Sequence, residues 1–322
     1  MEINKDNLIK FNKKILNCRE IFPFAALLGL IVVASFLSPR FLTFVNLRNL
    51  LSQVAIIAVL AAGQTYVILT GGIDLSVGSV LAVSGAFTGF LIKTAGFNPY
   101  LGIFFGLLLG TICGLISGIL VTKMKIPSFV ATLAMMAAAR GGALIITGGT
   151  PISIFPEELT SLASYWGPIS GLAFIMLFIY IIGQFILSKT RYGRYIYAIG
   201  GNEEAARYTG VQADRVKLFV FAFSGFCAAL GGIMMAARLD SAYPTAGEGF
   251  ELDAIASAVL GGVSFAGGVG SLVGAFLGSL IMAGLNNILN LMRVSAFYQY
   301  IARGVVLALA AISLSKGNKF AK

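Results

Sequence analysis

The stretch TGGIDLSVGS, residues 70–79, sets one carboxylate, Asp74, among three glycines and three hydroxyls. Such a group can hydrogen-bond a polar solute. It can equally cap a helix, with Asp74 at the start and Ser76 in the first turn. Gly71 and Gly72 allow the backbone to leave a helix and approach other groups closely. Gln64, Tyr66, Asn286, Asn287, Tyr298 and Gln299 are further polar groups set in apolar text. They can line a route for a polyhydroxylated solute or hold helices together. Arg140 and Arg303 also lie within apolar runs. Arg140 needs a partner there, Asp74 being one candidate, and Arg303 can pair or snorkel. Catalytic chemistry fits poorly. The chain has no histidine, which excludes Ser-His and Cys-His catalysis and His-ligated metals. Cys18, Cys113 and Cys227 are scattered and read as structural thiols, with no metal.

Apolar helices must position these groups. Hydrophobic residues make up 58% of the 322 residues and charged ones 11%, against about 25% charged in soluble domains. Mean hydropathy is +0.91. A membrane-spanning chain satisfies its backbone as helices or as a closed barrel. Continuous apolar runs, without the alternation of barrel strands, select helices. The expectation is an all-α integral membrane protein with about ten transmembrane helices, Gly-interrupted segments and both termini cytoplasmic. The expected spans are 21–38, 51–70, 76–95, 98–122, 127–147, 168–188, 216–238, 253–264, 271–291 and 296–314. The eighth is short. Residues 1–20 read as a cytoplasmic arm, 21–315 as one polytopic membrane domain, and 316–322 as a cytoplasmic tail. The first span lacks a small-x-small cleavage site and reads as an anchor.

The net charge of +10 does not indicate nucleic acid, because the charges are segregated. Sixteen of the 23 Lys and Arg residues fall in the arm, the 123–126 loop, the 189–217 loop and the tail. The opposite loop at 148–167 has none and carries Glu157 and Glu158. That asymmetry is the positive-inside pattern. A second glycine-rich break, GGVSFAGGVGS at 261–271, echoes the first. Paired breaks of this kind point to a transport route or to close helix packing.

The polar loop at about 189–217 holds NEEAARYTG. Asn202 is a good N-cap, Glu203 and Glu204 suit the first turn, and Gly210 suits the residue after the end. A helix of about two turns is marginal alone, so it reads as a docking element. Glu204-Ala205-Ala206-x-x-x-Gly210 resembles the coupling motif of ABC importer permeases. LTGGIDLSVGS, GRYIYAIGGN, VKLFVFAFSG, PTAGEGFELDAIASAVLGGVSFAGGVGS and LNNILNLMRVSAFYQYIARGVV resemble the sugar permeases of that family. The ribose branch resembles the chain best, and branches for xylose, galactose, inositol and autoinducer-2 share the motifs. The resemblance implies a multi-pass protein of the bacterial inner (plasma) membrane, surrounded by lipid and present as two copies. A separate cytoplasmic subunit would bind ATP and Mg, and a periplasmic protein would deliver the sugar. No cofactor is expected in this chain, which lacks the Gly-x-x-x-x-Gly-Lys-Ser/Thr phosphate loop. The resemblance assigns coupling to Asn202, Glu203, Glu204, Ala205, Ala206 and Gly210. The polar readings assign the route or gate to Gln64, Tyr66, Gly71, Gly72, Asp74, Ser76, Asn286 and Asn287. Asp240, Glu248, Glu251 and Asp253, in the expected outer loop, are candidates for docking the delivery protein. A passive facilitator would not need the docking helix. An intramembrane enzyme would need a metal cluster, a histidine or a Gly-x-Gly-Asp motif.

Overall fold

Long apolar runs bounded by glycine, proline or capping residues give the helices their limits. The computed structural model describes residues 20–317, so most of the basic arm and the last five residues of the tail lie outside the described residues. The helices are α1 (Ile21–Leu37), α2 (Phe44–Leu69), α3 (Val77–Lys93), α4 (Pro99–Thr122), α5 (Ser128–Thr147), the single turn α6 (Glu157–Thr160) and α7 (Gly171–Lys189). They continue with α8 (Arg191–Gly201), α9 (Glu203–Tyr208), α10 (Ala213–Leu239), α11 (Phe250–Leu260), α12 (Leu272–Leu291) and α13 (Ala296–Gly317). Helix α4 starts at Pro99, where a missing N–H costs nothing, and Asn98 Oδ1 accepts from Tyr100 N. Helix α5 ends at Gly148 in the left-handed conformation that favours glycine.

Among the described residues, α2, α4, α5, α7, α10 and α12 are long and apolar enough to cross a membrane, and α1 and α3 are shorter apolar helices. This is an all-α membrane protein. Helix α2 is the hub, with almost every residue from Ser52 onward buried. Helices α4 and α7 lie at the rim. Phe104, Leu108, Ile112 and Leu115 of α4, and Phe174, Phe178, Ile181 and Phe185 of α7, are exposed apolar groups suited to lipid. The other face of α4 is a ladder of Gly102, Gly106, Gly110, Gly114 and Gly118. Helix α10 lies against it so closely that a methyl group on Gly114 would overlap Phe221 O, and one on Gly225 would overlap Gly110 O. Small residues at four-residue spacing are what close packing of membrane helices needs.

Two sets of connections gather at opposite ends of the bundle. At one end, Gly268 N donates to Leu69 O at 2.9 Å, Ile73 N to Ser128 Oγ at 3.1 Å and Tyr197 Oη to Gly270 O at 2.9 Å. At the other, β1 (Ile152–Ser153) pairs antiparallel with β4 (Ser241–Ala242). A small hairpin there joins β2 (Tyr165–Trp166) to β3 (Ile169–Ser170). Ser52 Oγ lies 3.1 Å from Tyr165 Oη.

Two boundaries and one connecting segment depart most from expectation. Helix α2 begins seven residues before the expected 51, because its polar first turns are held by tertiary contacts. Asn46 bonds Asn287, and the Arg48 guanidinium lies 3.8 Å from the Tyr165 ring centre. Helix α11 stops at Leu260, before the expected 264, at the Gly261–Gly262 break. The 189–217 loop holds a second helix, α8. Its Gly- and Tyr-rich text has weak helix propensity, but Gly193, Ile196 and Ile199 are buried against the bundle.

Candidate functional site

The break after α2 is a closed polar knot. Gly71 turns the chain at φ +78°, and residues 73–75 run without helical bonds into α3. Helix α5 supplies the missing partners. Ile73 N donates to Ser128 Oγ and Leu75 N to Thr132 Oγ1, each at 3.1 Å. The Gln64 amide, oriented to satisfy both groups, donates to Asp74 O at 3.0 Å and accepts from Asp74 N at 3.3 Å. Asp74 itself is 1% exposed. Its Oδ1 accepts from Ser76 N at 2.9 Å and Ser76 Oγ at 2.6 Å, and its Oδ2 from Ser224 Oγ at 2.7 Å. Ser76 occupies the N-cap of α3. Asp74 therefore makes an Asx turn before the helix and ties it to α10. The expected pairing of Asp74 with Arg140 is absent. Arg140 Nη1 donates instead to Pro244 O at 2.6 Å and Ala246 O at 3.0 Å, at the opposite end. Tyr66 is also fully buried and donates to Gly183 O at 2.7 Å, pinning α2 to α7.

Beside this knot lies α9, the helix expected from NEEAARYTG. Asn202 Oδ1 accepts from Ala205 N at 2.9 Å, and Gly210 at φ +86° follows the end. Glu203 bonds Arg207 Nη2 at 2.9 Å and Lys217 Nζ at 2.5 Å. Arg207 also pairs with Asp214, and Lys125 lies 3.7 Å from Asp214. Burial opposes ionisation of Glu203, but the hydrogen bonds from Lys217 and Arg207 outweigh it and hold the carboxyl below the ordinary glutamate value. One continuous ion-pair cluster thus joins α9, α10 and the α4–α5 turn. It walls a cavity of about 290 Å³ that reaches Thr70, Gly71 and Gly72. Ala206 is buried, whereas Glu204, Ala205 and Tyr208, the last 83% exposed, form a free face.

A second polar cluster joins α11, α12 and α13. Asp253 is 0% exposed. Arg303 Nε lies 3.5 Å from Asp253 Oδ1 and donates to Asn286 Oδ1 at 3.3 Å, while Asn286 Nδ2 donates to Asp253 Oδ2 at 3.3 Å. The expectation that Asp253 docks a protein is thereby corrected, because a carboxylate sealed in this triad has no surface to offer. Glu251 is partly buried. Asp240 and Glu248 are exposed, and Asp240 Oδ1 accepts from Phe155 N at 2.7 Å. Asn287 and Asn46 exchange two hydrogen bonds, each of 2.9 Å, and so lock α12 to α2. Tyr298 is 67% exposed, whereas Gln299 is buried.

Next to the triad is a cavity of about 250 Å³ lined by Gln53, Arg238, Asn290 and Gln299. The sequence reading included Gln299 and missed the other three. Their signal was a polar residue near the end of an apolar run, which is also how ordinary interfacial residues look. Among the described residues, no group of three or more His, Cys, Asp or Glu could hold a metal ion.

The family described as branched-chain amino acid transport system / permease component matches residues 46–311. The chain is 44% identical over 292 residues to the ribose import permease protein of Escherichia coli (strain K12), covering 89% of this chain and 91% of the relative. It is 43% identical over 299 residues to that of Bacillus subtilis (strain 168), covering 91% and 92%. Identity to the autoinducer 2 import system permease protein of Enterobacter sp. (strain 638) is 36% over 296 residues, covering 92% and 86%. With a matching pattern over most of its length and relatives well above 30% identity, the chain belongs to this family of ABC transporter permease components.

Proposed function

We infer that this chain is the membrane permease subunit of a bacterial inner-membrane ABC importer and that its cargo is ribose. The observation that carries this reading is the 44% identity to a ribose import permease over 89% of the chain. The relatives are transport components, and ATP with Mg is handled by a separate cytoplasmic subunit. A periplasmic binding protein delivers the sugar, and two permease copies form the membrane unit. Ten crossings with both termini cytoplasmic agree with the charge asymmetry between the loops and with the gathering of connections at two opposite ends.

The geometry gives this reading a mechanism. Closure of the ATPase pushes on the free face of α9. The Glu203–Arg207–Asp214–Lys125 cluster passes the push to α10 and to the α4–α5 turn. Both elements border the cavity under Gly71 and Gly72, so the same motion opens or shuts the inner side of the route. A two-state element biased by a ligand elsewhere is the general form of such coupling.

The test is ribose uptake into vesicles holding this chain, its ATPase and its binding protein. Uptake should require ATP and the binding protein, and Glu204→Ala should weaken ATP-driven uptake. Ribose flux through the chain alone, without ATP, would overturn the importer reading in favour of a facilitator. ATP-driven uptake of another solute would replace only the cargo.

A further inference from the structure

The cavity beside the Asp253 triad has polar groups left over. Arg303 Nε and the Asn286 amide are engaged with Asp253 and with each other. Gln299 Nε2 donates to Asn290 Oδ1 at 2.9 Å and to Val294 O at 3.0 Å. That leaves Gln299 Oε1 as an acceptor and Asn290 Nδ2 as a donor. Among the described residues, the Gln53 amide and the Arg238 guanidinium make no side-chain hydrogen bond or ion pair. Four side chains from four helices, α2, α10, α12 and α13, therefore bring unmatched polar groups to one cavity. Phe250 supplies an aromatic wall.

The position matters as much as the chemistry. Gln53 lies near the start of α2, Arg238 at the end of α10, Asn290 at the end of α12 and Gln299 at the start of α13. All four helix ends lie in the half of the bundle that carries the β1–β4 pair, opposite the Glu203 cluster. We propose that this cavity is an entry station of the transport route, where Gln53, Arg238, Asn290 and Gln299 hydrogen-bond a single uncharged monosaccharide. The proposal rests on the importer reading above.

Hydroxyl groups both donate and accept, so they match a wall offering Arg238 and Asn290 donors, the Gln299 acceptor and the two-sided Gln53 amide. A phosphate or carboxylate would pair with Arg238 but, having no proton to give, would leave Gln299 Oε1 unmatched. Phe250 suits the C–H face of a sugar ring. At about 250 Å³ the cavity falls below the range of about 300–1,000 Å³ typical of drug-sized ligand pockets, which suits one ring rather than two. Asn286 and Asn287 then act as framework beside the station.

Single cysteines at Gln53 and Asn290 test this in the assembled transporter, with Cys18→Ser as background. Cys113 and Cys227 are buried. A hydrophilic thiol reagent should label both positions, and free ribose should slow labelling at least fivefold. Phe178→Cys on the lipid-facing side of α7 should show no ribose effect. Labelling rates unchanged by ribose at both positions would overturn the station, as would protection by the sugar acid ribonate in place of ribose. In parallel, Arg238→Gln should cut ribose uptake at least tenfold while the binding protein still stimulates ATP hydrolysis normally, and Arg238→Lys should recover part of it. Unchanged uptake in Arg238→Gln would also overturn the proposal. If the unmodified complex imports no ribose yet ribose still protects the cysteines, the importer reading fails, and the cavity is a monosaccharide site with no part in import, which overturns its role as an entry station.

Discussion

Asp74 accepts three hydrogen bonds while almost fully buried, and that arrangement sets what substitution there will do. Asp74→Leu would leave Ser76 N and two hydroxyls without partners. At about 1–3 kcal/mol for a buried group left unsatisfied, a loss of about 3 kcal/mol or more is expected. Asp74→Asn keeps one carbonyl acceptor, and Ser224 Oγ can rotate to accept from the new amide, so it should lose far less. Thermal unfolding in detergent would separate the two, and equal losses would contradict the hydrogen-bond account. The reciprocal Asn46–Asn287 pair yields a second expectation. Asn287→Leu should cost about 0.6–2 kcal/mol, the range for interhelical hydrogen bonds in membranes. Adding Asn46→Leu should cost less than the sum of the single losses, because neither amide is then left alone. A strictly additive double-mutant cycle would show that the pair is not coupled.

At the scale of elements, the α4–α10 interface depends on the absence of side chains. Gly114→Leu places a branched group where Phe221 O lies, so folded protein should fall sharply. Gly114→Ala should be intermediate, at about 1–3 kcal/mol for overpacking. Leu115→Ala, on the exposed face of the same helix, should stay within about 0.5 kcal/mol. A large loss for Leu115→Ala with none for Gly114→Leu would reverse the assigned faces. Docking of α9 is electrostatic and should depend on pH. Glu203 is held below its ordinary value, so its ion pairs stabilise the docked helix fully above that value and release it as pH falls through the folded-state value. Amide hydrogen exchange across residues 203–209 should therefore quicken, beyond its intrinsic pH dependence, on acidification below the ordinary glutamate range. Because the cluster is partly exposed, high salt should act in the same direction. Glu203→Gln should shrink the acid-dependent step, leaving the part due to Asp214, whose carboxyl Arg207 likewise holds below its ordinary value, and an unchanged pH profile in that variant would exclude Glu203 as a source.

The whole molecule is polarised end to end. The ion-pair cluster, the two glycine-rich breaks and α8 share one end, and the small strands and the Arg140-held loop share the other. If the proposed orientation, with both termini cytoplasmic, holds, Thr209→Cys should be labelled by an impermeant reagent only after the cells are permeabilised. Glu158→Cys should be labelled from outside. Both probes reacting from the same side would break the alternating path and the expected number of crossings. At this scale Arg140 ties α5 to the loop carrying Glu248, so movement of that loop would be felt along α5.

Much of the fold was legible because its signals are local. Apolar runs of about 20 residues, proline and glycine at their limits, and lysine and arginine crowded into alternate loops require no knowledge of neighbours. Asn202, its two following acids and Gly210 likewise marked α9 through backbone chemistry alone. The sequence by itself thus determined a helical membrane protein, the approximate limits of its helices, and the motifs that tie it to its family. Partners were decided only by the tertiary structure. Whether Asp74 would meet Arg140 or Ser224, and whether Asp253 would face water or Arg303, depended on contacts between residues far apart in the chain. The same holds for α8, whose weak propensity was overridden by packing, and for the Gln53–Arg238–Asn290–Gln299 cavity. A polar residue in an apolar helix must satisfy its hydrogen bonds somewhere, but only the arrangement of the other helices fixes where.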